Sequence, residues 1–144
     1  MKMNAQSLKN PEFWAEAQVR LPQFDWKKMQ ESTKKNPTWI HFGAGNIFRG
    51  FIAKLQQDLL EQGAVEGGII AADTFDFDII EKIYNPYDSM TMLVSLRPDG
   101  SMKKEIVASI ARGLCANKDY EKDYWELRKA FRNPGLQMVS FTIT

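Results

Sequence analysis

The feature that most narrows the folds open to this chain is a short apolar run that ends in glycine-alanine-glycine and leads straight into a helical pattern. Thr38-Trp39-Ile40-His41-Phe42 is β-prone and bounded by Pro37 and Gly43, so it reads as a strand. From Asn46 to Gln62 the apolar residues Ile47, Phe51, Leu55 and Leu59 recur at steps of four, with Ile52 beside them. That is helical spacing, and Gly63 stands where a C-terminal cap belongs. Gly43-Ala44-Gly45 therefore occupies a strand-to-helix junction. The first glycine permits a tight turn, and the second leaves the backbone without a Cβ where another molecule can come close.

The remaining chain continues the alternation. Gly68-Ile69-Ile70-Ala71-Ala72-Asp73 has the length and apolarity of a buried parallel strand. Phe75 to Tyr84, with Ile79, Ile80 and Ile83, predicts a second helix that Asn85-Pro86 stops. Then Met90, Met92, Val94 and Leu96 alternate with Thr91, Leu93 and Ser95, and Arg97-Pro98-Asp99-Gly100 makes a turn. Lys103 to Ala111 alternates again through Ile106, Ala108 and Ile110. This predicts an inserted β-hairpin in which Met90 and Met92 are packing residues. Tyr120 to Phe131, with Tyr124, Leu127 and Phe131 on one side, predicts a third helix ended by Asn133-Pro134-Gly135, and Leu136 to Thr144 a last strand. Residues 1–37 read as an irregular extension packed on a domain spanning 38–144. Its one short helix starts at Asn10-Pro11-Glu12 and ends by Leu21-Pro22. The order predicts an α/β, Rossmann-like fold: a mainly parallel sheet with flanking helices and an inserted β-hairpin, incomplete at its C-terminus.

A glycine bend at such a junction is suited to a dinucleotide. The N–H groups of Asn46, Ile47 and Phe48 are free at the helix start, and the helix dipole favours a diphosphate there. The general fingerprint places a third glycine three positions after the second. Here that position holds Phe48, and Gly50 is expected to supply the close helix–strand contact instead. Asp73 at the end of the next strand is placed to accept the adenosine ribose hydroxyls. It lies 28 residues after Gly45 (73 minus 45), and the long first helix accounts for the distance. An acid there favours NAD over NADP, and no basic residue follows until Lys82. The same residues have plainer readings: Gly43 and Gly45 as a structural turn, Asp73 as a helix N-cap, and Arg49 as a solvated helix charge rather than a group near the phosphates. His41, the one histidine, reads as a packed strand residue, and Cys115 as a small core or surface thiol.

Bulk properties exclude several classes. Nineteen basic and 18 acidic residues give a net charge of +1, and neither half is strongly basic, so neither a nucleic acid nor an acidic membrane is expected as a partner. One cysteine cannot form an internal disulfide, the N-terminus lacks an apolar signal core, and no run is long enough to span a bilayer; a cytoplasmic protein is expected. The 44% hydrophobic content is enough to bury one core.

The segment Ile40-His41-Phe42-Gly43-Ala44-Gly45-Asn46-Ile47-Phe48-Arg49-Gly50 resembles the N-terminal signature of the mannitol dehydrogenase family, the polyol-specific long-chain dehydrogenases. The family's loop is Gly-x-Gly-x-x-x-Arg followed by a small residue. It commonly carries His or Phe where this chain has Phe48. Leu21-Pro22, Ala72-Asp73, Ser109-Ile110 and Leu136 to Thr144 extend the similarity over residues 20–144. The resemblance implies a Rossmann domain followed by a mostly helical domain. The implied reaction is reversible hydride transfer between nicotinamide and a secondary alcohol or ketone carbon of a polyol or sugar acid, with no metal. It places cofactor binding at Gly43, Ala44, Gly45, Asn46, Ile47, Phe48, Arg49 and Asp73. The family's proton-transfer lysine, with its asparagine and histidine partners, belongs to the helical domain, so no catalytic residue is expected in this chain, which by itself should not turn over substrate. An unpaired edge at the last strand would invite self-association. The competing reading is a non-catalytic α/β module that binds a nucleotide or phosphate.

Overall fold

The computed structural model describes residues 2–143. Four strands form the main sheet: β2 (Trp39–Phe42), β3 (Ile69–Asp73), β6 (Ile110–Cys115) and β7 (Met138–Phe141). Their order is β6-β3-β2-β7, and every pairing is parallel. Ile69 to Ala72 are fully buried, because both faces of a parallel sheet are covered. One face packs on Phe48, Ala53, Ile80 and Tyr84, the other on Leu127 and Ala130 of α4 (Glu121–Arg132). The chain steps from β2 to β3 to β6 in one direction, and β7 then joins the opposite side of β2. This reversal opens a crevice at the C-terminal ends of β2 and β7, where doubly wound sheets bind ligands.

The hairpin forms as expected between β4 (Thr91–Leu96) and β5 (Met102–Val107). It does not extend to Ala111. The alternating run from Lys103 breaks at Ala108-Ser109, and its second half becomes β6 of the main sheet. A continuous alternation cannot show that the chain changes sheets partway. Met90 is buried as expected, but Met92 is half-exposed, because the outer face of β4 looks away from the core.

The N-terminal segment is more ordered than its composition suggests. It holds α1 (Pro11–Glu16), β1 (Val19–Arg20) and α2 (Trp26–Lys35). β1 adds to the hairpin sheet, parallel to β5. The α2 sequence looks polar, yet Asp25 caps it by accepting from Lys28 N at 3.0 Å. Its narrow buried stripe is Met29, Gln30 and Thr33, and Gln30 Nε2 donates to the carbonyls of Asp88 and Ile110. Glu105, 2% exposed, joins the small sheet to its surroundings by ion pairs with Arg20, Lys54 and Lys103 at 3.3, 3.6 and 3.0 Å. Such burial is tolerable for a carboxylate only when cations face it.

The helix after β2 starts as a π turn (Phe48–Ile52) and continues as α3 (Ala53–Glu61). The π turn shifts the register for Leu55 and Leu59, and Ile47 is already on the outer side before it, so the expected apolar stripe is not the buried face. Ile47, Phe51, Leu55 and Leu59 are 40–62% exposed; Phe48, Ala53, Gln56, Gln57 and Leu60 face the core. Gln57 is tolerated there because its amide donates to Ile106 O and accepts from Ala108 N. Gly63, at φ +70°, ends the helix as expected. The second helix is likewise a π segment, Ile79–Tyr84, and Phe75 lies outside it, 92% exposed. In the last strand, Thr144 lies outside the described residues. Among the described residues no helix is long and apolar enough to cross a membrane.

Gly113 of β6 lies beneath the Tyr84 ring; a Cβ there would be 2.8 Å from Tyr84 Cδ1 and 2.9 Å from Ile80 Cδ1. Gly113→Ala should therefore destabilise the fold by about 1–3 kcal/mol through overpacking. The check is a lowered urea midpoint at constant slope; an unchanged midpoint would show that this packing is loose.

Candidate dinucleotide-binding site

The glycine bend is built as its sequence requires. Gly43 has φ +103°, and an added Cβ would sit 3.0 Å from Thr142 O, so both conformation and space demand glycine. Gly45 is different. Nothing lies within 4 Å of the Cβ it lacks, so the fold itself does not need glycine there. Among the described residues, the backbone N–H groups of Gly45, Asn46, Ile47 and Phe48 find no acceptor in the chain. They form an unsatisfied donor set at a helix start.

Three contacts hold the bend. Gly43 N donates to Ala72 O at 2.9 Å. Ala44 N donates to Asp73 Oδ2 at 3.0 Å. The buried Tyr84 hydroxyl donates to Ala44 O at 3.0 Å. Burial raises the Tyr84 hydroxyl well above the ordinary phenol range, so it stays protonated and can donate. Asp73 does more than either sequence reading proposed. Its Oδ1 accepts from Phe75 N at 2.9 Å and Asp76 N at 2.8 Å, as a cap does, while Oδ2 ties down the glycine loop.

A cavity of about 640 Å³ opens over these groups, a size suited to a small-molecule or cofactor site. Gly43, Gly45, Asn46, Ile47, Phe48 and Asp73 all line it, so the structure gathers most of the residues selected from sequence. Ala44 has its side chain buried behind the loop. Arg49 is set apart and lines a neighbouring cavity. Gly50 makes no close helix–strand contact; a Cβ there would meet only Leu93 Cδ1, at 3.6 Å. Phe48 occupies the place of the usual third glycine and stacks on His41, ring centroids 4.2 Å apart and planes 7° from parallel. Sequence reasoning missed Phe75, Ile79, Phe141 and Thr142 on the cavity wall, and Tyr84 behind it. An aromatic two residues after the strand-end acid was the available signal for Phe75. Nothing local marked Tyr84.

His41 is fully buried, as the strand reading held. Nδ1 lies 2.8 Å from Ser140 Oγ and Nε2 2.7 Å from Thr142 Oγ1, while Trp39 Nε1 donates to the same Ser140 Oγ at 2.7 Å. These contacts bind β7 to β2 directly under the bend. Burial lowers the His41 pKa from its ordinary value, so the ring is neutral at pH 7. Cys115 is buried, and its thiol is pushed up to about 12 by burial and by nearby Asp123. It is a core thiol rather than a nucleophile.

The fold is a Rossmann-like α/β domain, and known proteins agree with it. D-sorbitol dehydrogenase in substrate-free form superposes with a TM-score of 0.78 at 23% identity, over 99% of this chain and 27% of that one. Pseudomonas fluorescens mannitol 2-dehydrogenase, in ternary complex with NAD and D-mannitol, gives 0.76 at 22% identity, over 99% of this chain and 27% of that one. A D-mannonate oxidoreductase of Thermotoga maritima is 41% identical over all 144 residues. The chain spans 26% of that relative's length. No family model matches the chain. The relative bears out the resemblance drawn from the sequence, and the two structures bear out the Rossmann-like fold.

A histidine buried neutral destabilises the fold once the unfolded chain can protonate. Between the lowered folded pKa and the unfolded value of 6.5, the unfolded state binds more protons, so stability falls as pH drops through that window. The thermal midpoint should decline on acidification below about pH 6.5, and His41→Gln should flatten that decline. An identical pH slope in the variant would show that His41 does not govern it.

Proposed function

We propose that this chain is the NAD-binding part of an oxidoreductase that interconverts D-mannonate and D-fructuronate, or a related polyol and keto-sugar pair, by hydride transfer. The observation that carries the reading is the open glycine bend. Four backbone N–H groups lack acceptors and surround a position, Gly45, where the fold leaves room that it does not need. A diphosphate supplies the missing acceptors and occupies that room. The 41% identity to D-mannonate oxidoreductase points to the substrate class. The asparagine in the loop and the last strand resemble that branch.

In this reading Gly43 to Phe48 hold the pyrophosphate, Asp73 accepts the adenosine ribose hydroxyls, and the exposed Phe75 ring offers a platform for adenine. When bound, the nicotinamide supplies the hydride chemistry. The chain's own part is to bind, orient and select the cofactor. Selection favours NAD, because Asp73 and Asp76 line the ribose end and repel a 2′-phosphate. The first later cation, Lys82, is paired with Asp78 at 2.6 Å. The domain reading follows: residues 1–37 support residues 38–144, and the substrate-handling lysine lies outside this chain in the helical domain of the whole protein, which works in the cytoplasm. The β7 edge carries no further strand among the described residues, and it supports self-association of the chain.

Two substitutions test the site. Gly45→Ala should leave the thermal midpoint nearly unchanged while NADH affinity, followed by fluorescence titration, falls about tenfold or more; unchanged affinity would mean the bend is only structural. Asp73→Asn removes the charge, at the cost of one side of the bonds that Asp73 accepts from Ala44, Phe75 and Asp76, and should narrow the preference for NADH over NADPH. An unaltered ratio of the two affinities removes Asp73 from cofactor selection.

A further inference from the structure

Beside the glycine loop lies a second cavity of about 460 Å³, between the first turn of the helix after β2 and the start of β4. Its polar wall is Arg49, Thr91 and Asn46; its apolar wall includes Ile83, Tyr87 and Leu93. We propose that this cavity binds an organic anion, a carboxylate carried on an apolar body, with Arg49 as its counter-ion.

Arg49 is held in place. Nη1 donates to Thr91 Oγ1 at 3.3 Å, and Nη2 donates to Asn46 Oδ1. These contacts use two of the five donors a guanidinium presents. Its Nε is buried without any partner. Arg112 Nε shares that condition, but the Arg112 charge is matched by Glu126 at 2.9 Å. Arg49 has no carboxylate within ion-pair distance among the described residues, and no acidic residue lines its cavity. The Lys2 ammonium lies over the Tyr87 ring at 5.1 Å from the centroid, adding positive charge at the rim. Asp88, next to Tyr87, is turned to Ala5 N, from which it accepts at 2.8 Å. A fixed, partly desolvated guanidinium with free donors and no anion of its own recognises a carboxylate. The surrounding Ile83, Tyr87 and Leu93 recognise an apolar body rather than a bare inorganic ion or a polyol.

The cavity is separate from the cofactor loop, with Asn46 on the shared wall. Arg49 serves this second cavity and not the pyrophosphate. Titration calorimetry with benzoate, with benzylamine as a probe of similar shape and opposite charge, tests the assignment. Expected are saturable benzoate binding, no benzylamine binding, and loss of benzoate affinity by about tenfold or more in Arg49→Gln. The unaltered protein should bind benzoate equally well with and without NADH. Thr91→Val, which keeps the guanidinium and most of the packing, should give a smaller loss and serves as the second variant should Arg49→Gln fold poorly. Absence of saturable benzoate binding, binding that persists in Arg49→Gln, or displacement of benzoate by NADH would each overturn the proposal.

Discussion

A clasp between the ends of two neighbouring strands organises this molecule. Asp73, at the end of β3, accepts from Ala44 N in the bend that leaves β2, while Tyr84 donates to Ala44 O from the other direction. Both bonds are largely shielded from water, where a charge-assisted bond to a carboxylate is worth more than at the surface. Fixing Ala44 fixes its neighbours. The amides from Gly45 to Phe48 find no acceptor among the described residues, and these residues line the crevice. The acid that would select the ribose is thus also the group that shapes the phosphate loop. In the proposed function, selection and loop geometry would be coupled in one side chain.

Beneath the clasp, the chain replaces a small-residue contact with an aromatic one. Where general dinucleotide folds bring helix and strand together over glycine, Phe48 stacks on His41, and His41 bonds to Ser140 of β7 and to Thr142 just after it. Phe48 opens a π turn in this helix (Phe48–Ile52). The same turn carries Arg49 away from the glycine loop toward Thr91. A single local irregularity therefore separates two neighbouring residues of the motif into two cavities.

Much of the site could be read from the chain because its determinants are local. Positive φ at Gly43, a bare backbone at Gly45, free amides after a bend and an acid at a strand end are each properties of a few consecutive residues. The misreadings have a common cause as well. The stripe Ile47, Phe51, Leu55, Leu59 obeys helical spacing but is exposed, starting on the outer side at Ile47 and kept there past the π turn. The alternation from Lys103 to Ala111 obeys strand spacing but crosses from one sheet to another. The polar α2 is buried through Met29, Gln30 and Thr33, whose partners lie far along the chain. Periodicity states which residues share a face; it does not state what that face meets.

What the residues determined unaided is the alternation from β2 through β3, the closing helix and strand, the glycine bend and the acid that follows it, since backbone sterics and short-range hydrogen bonding decide those. What only the tertiary structure decided is which helix face is buried, where β5 ends and β6 begins, that Tyr84 and Asp73 hold Ala44 between them, and that Arg49 looks into a cavity of its own. Those outcomes depend on contacts between residues tens of positions apart, which form only when the sheet closes and each buried polar group must find a partner or remain without one.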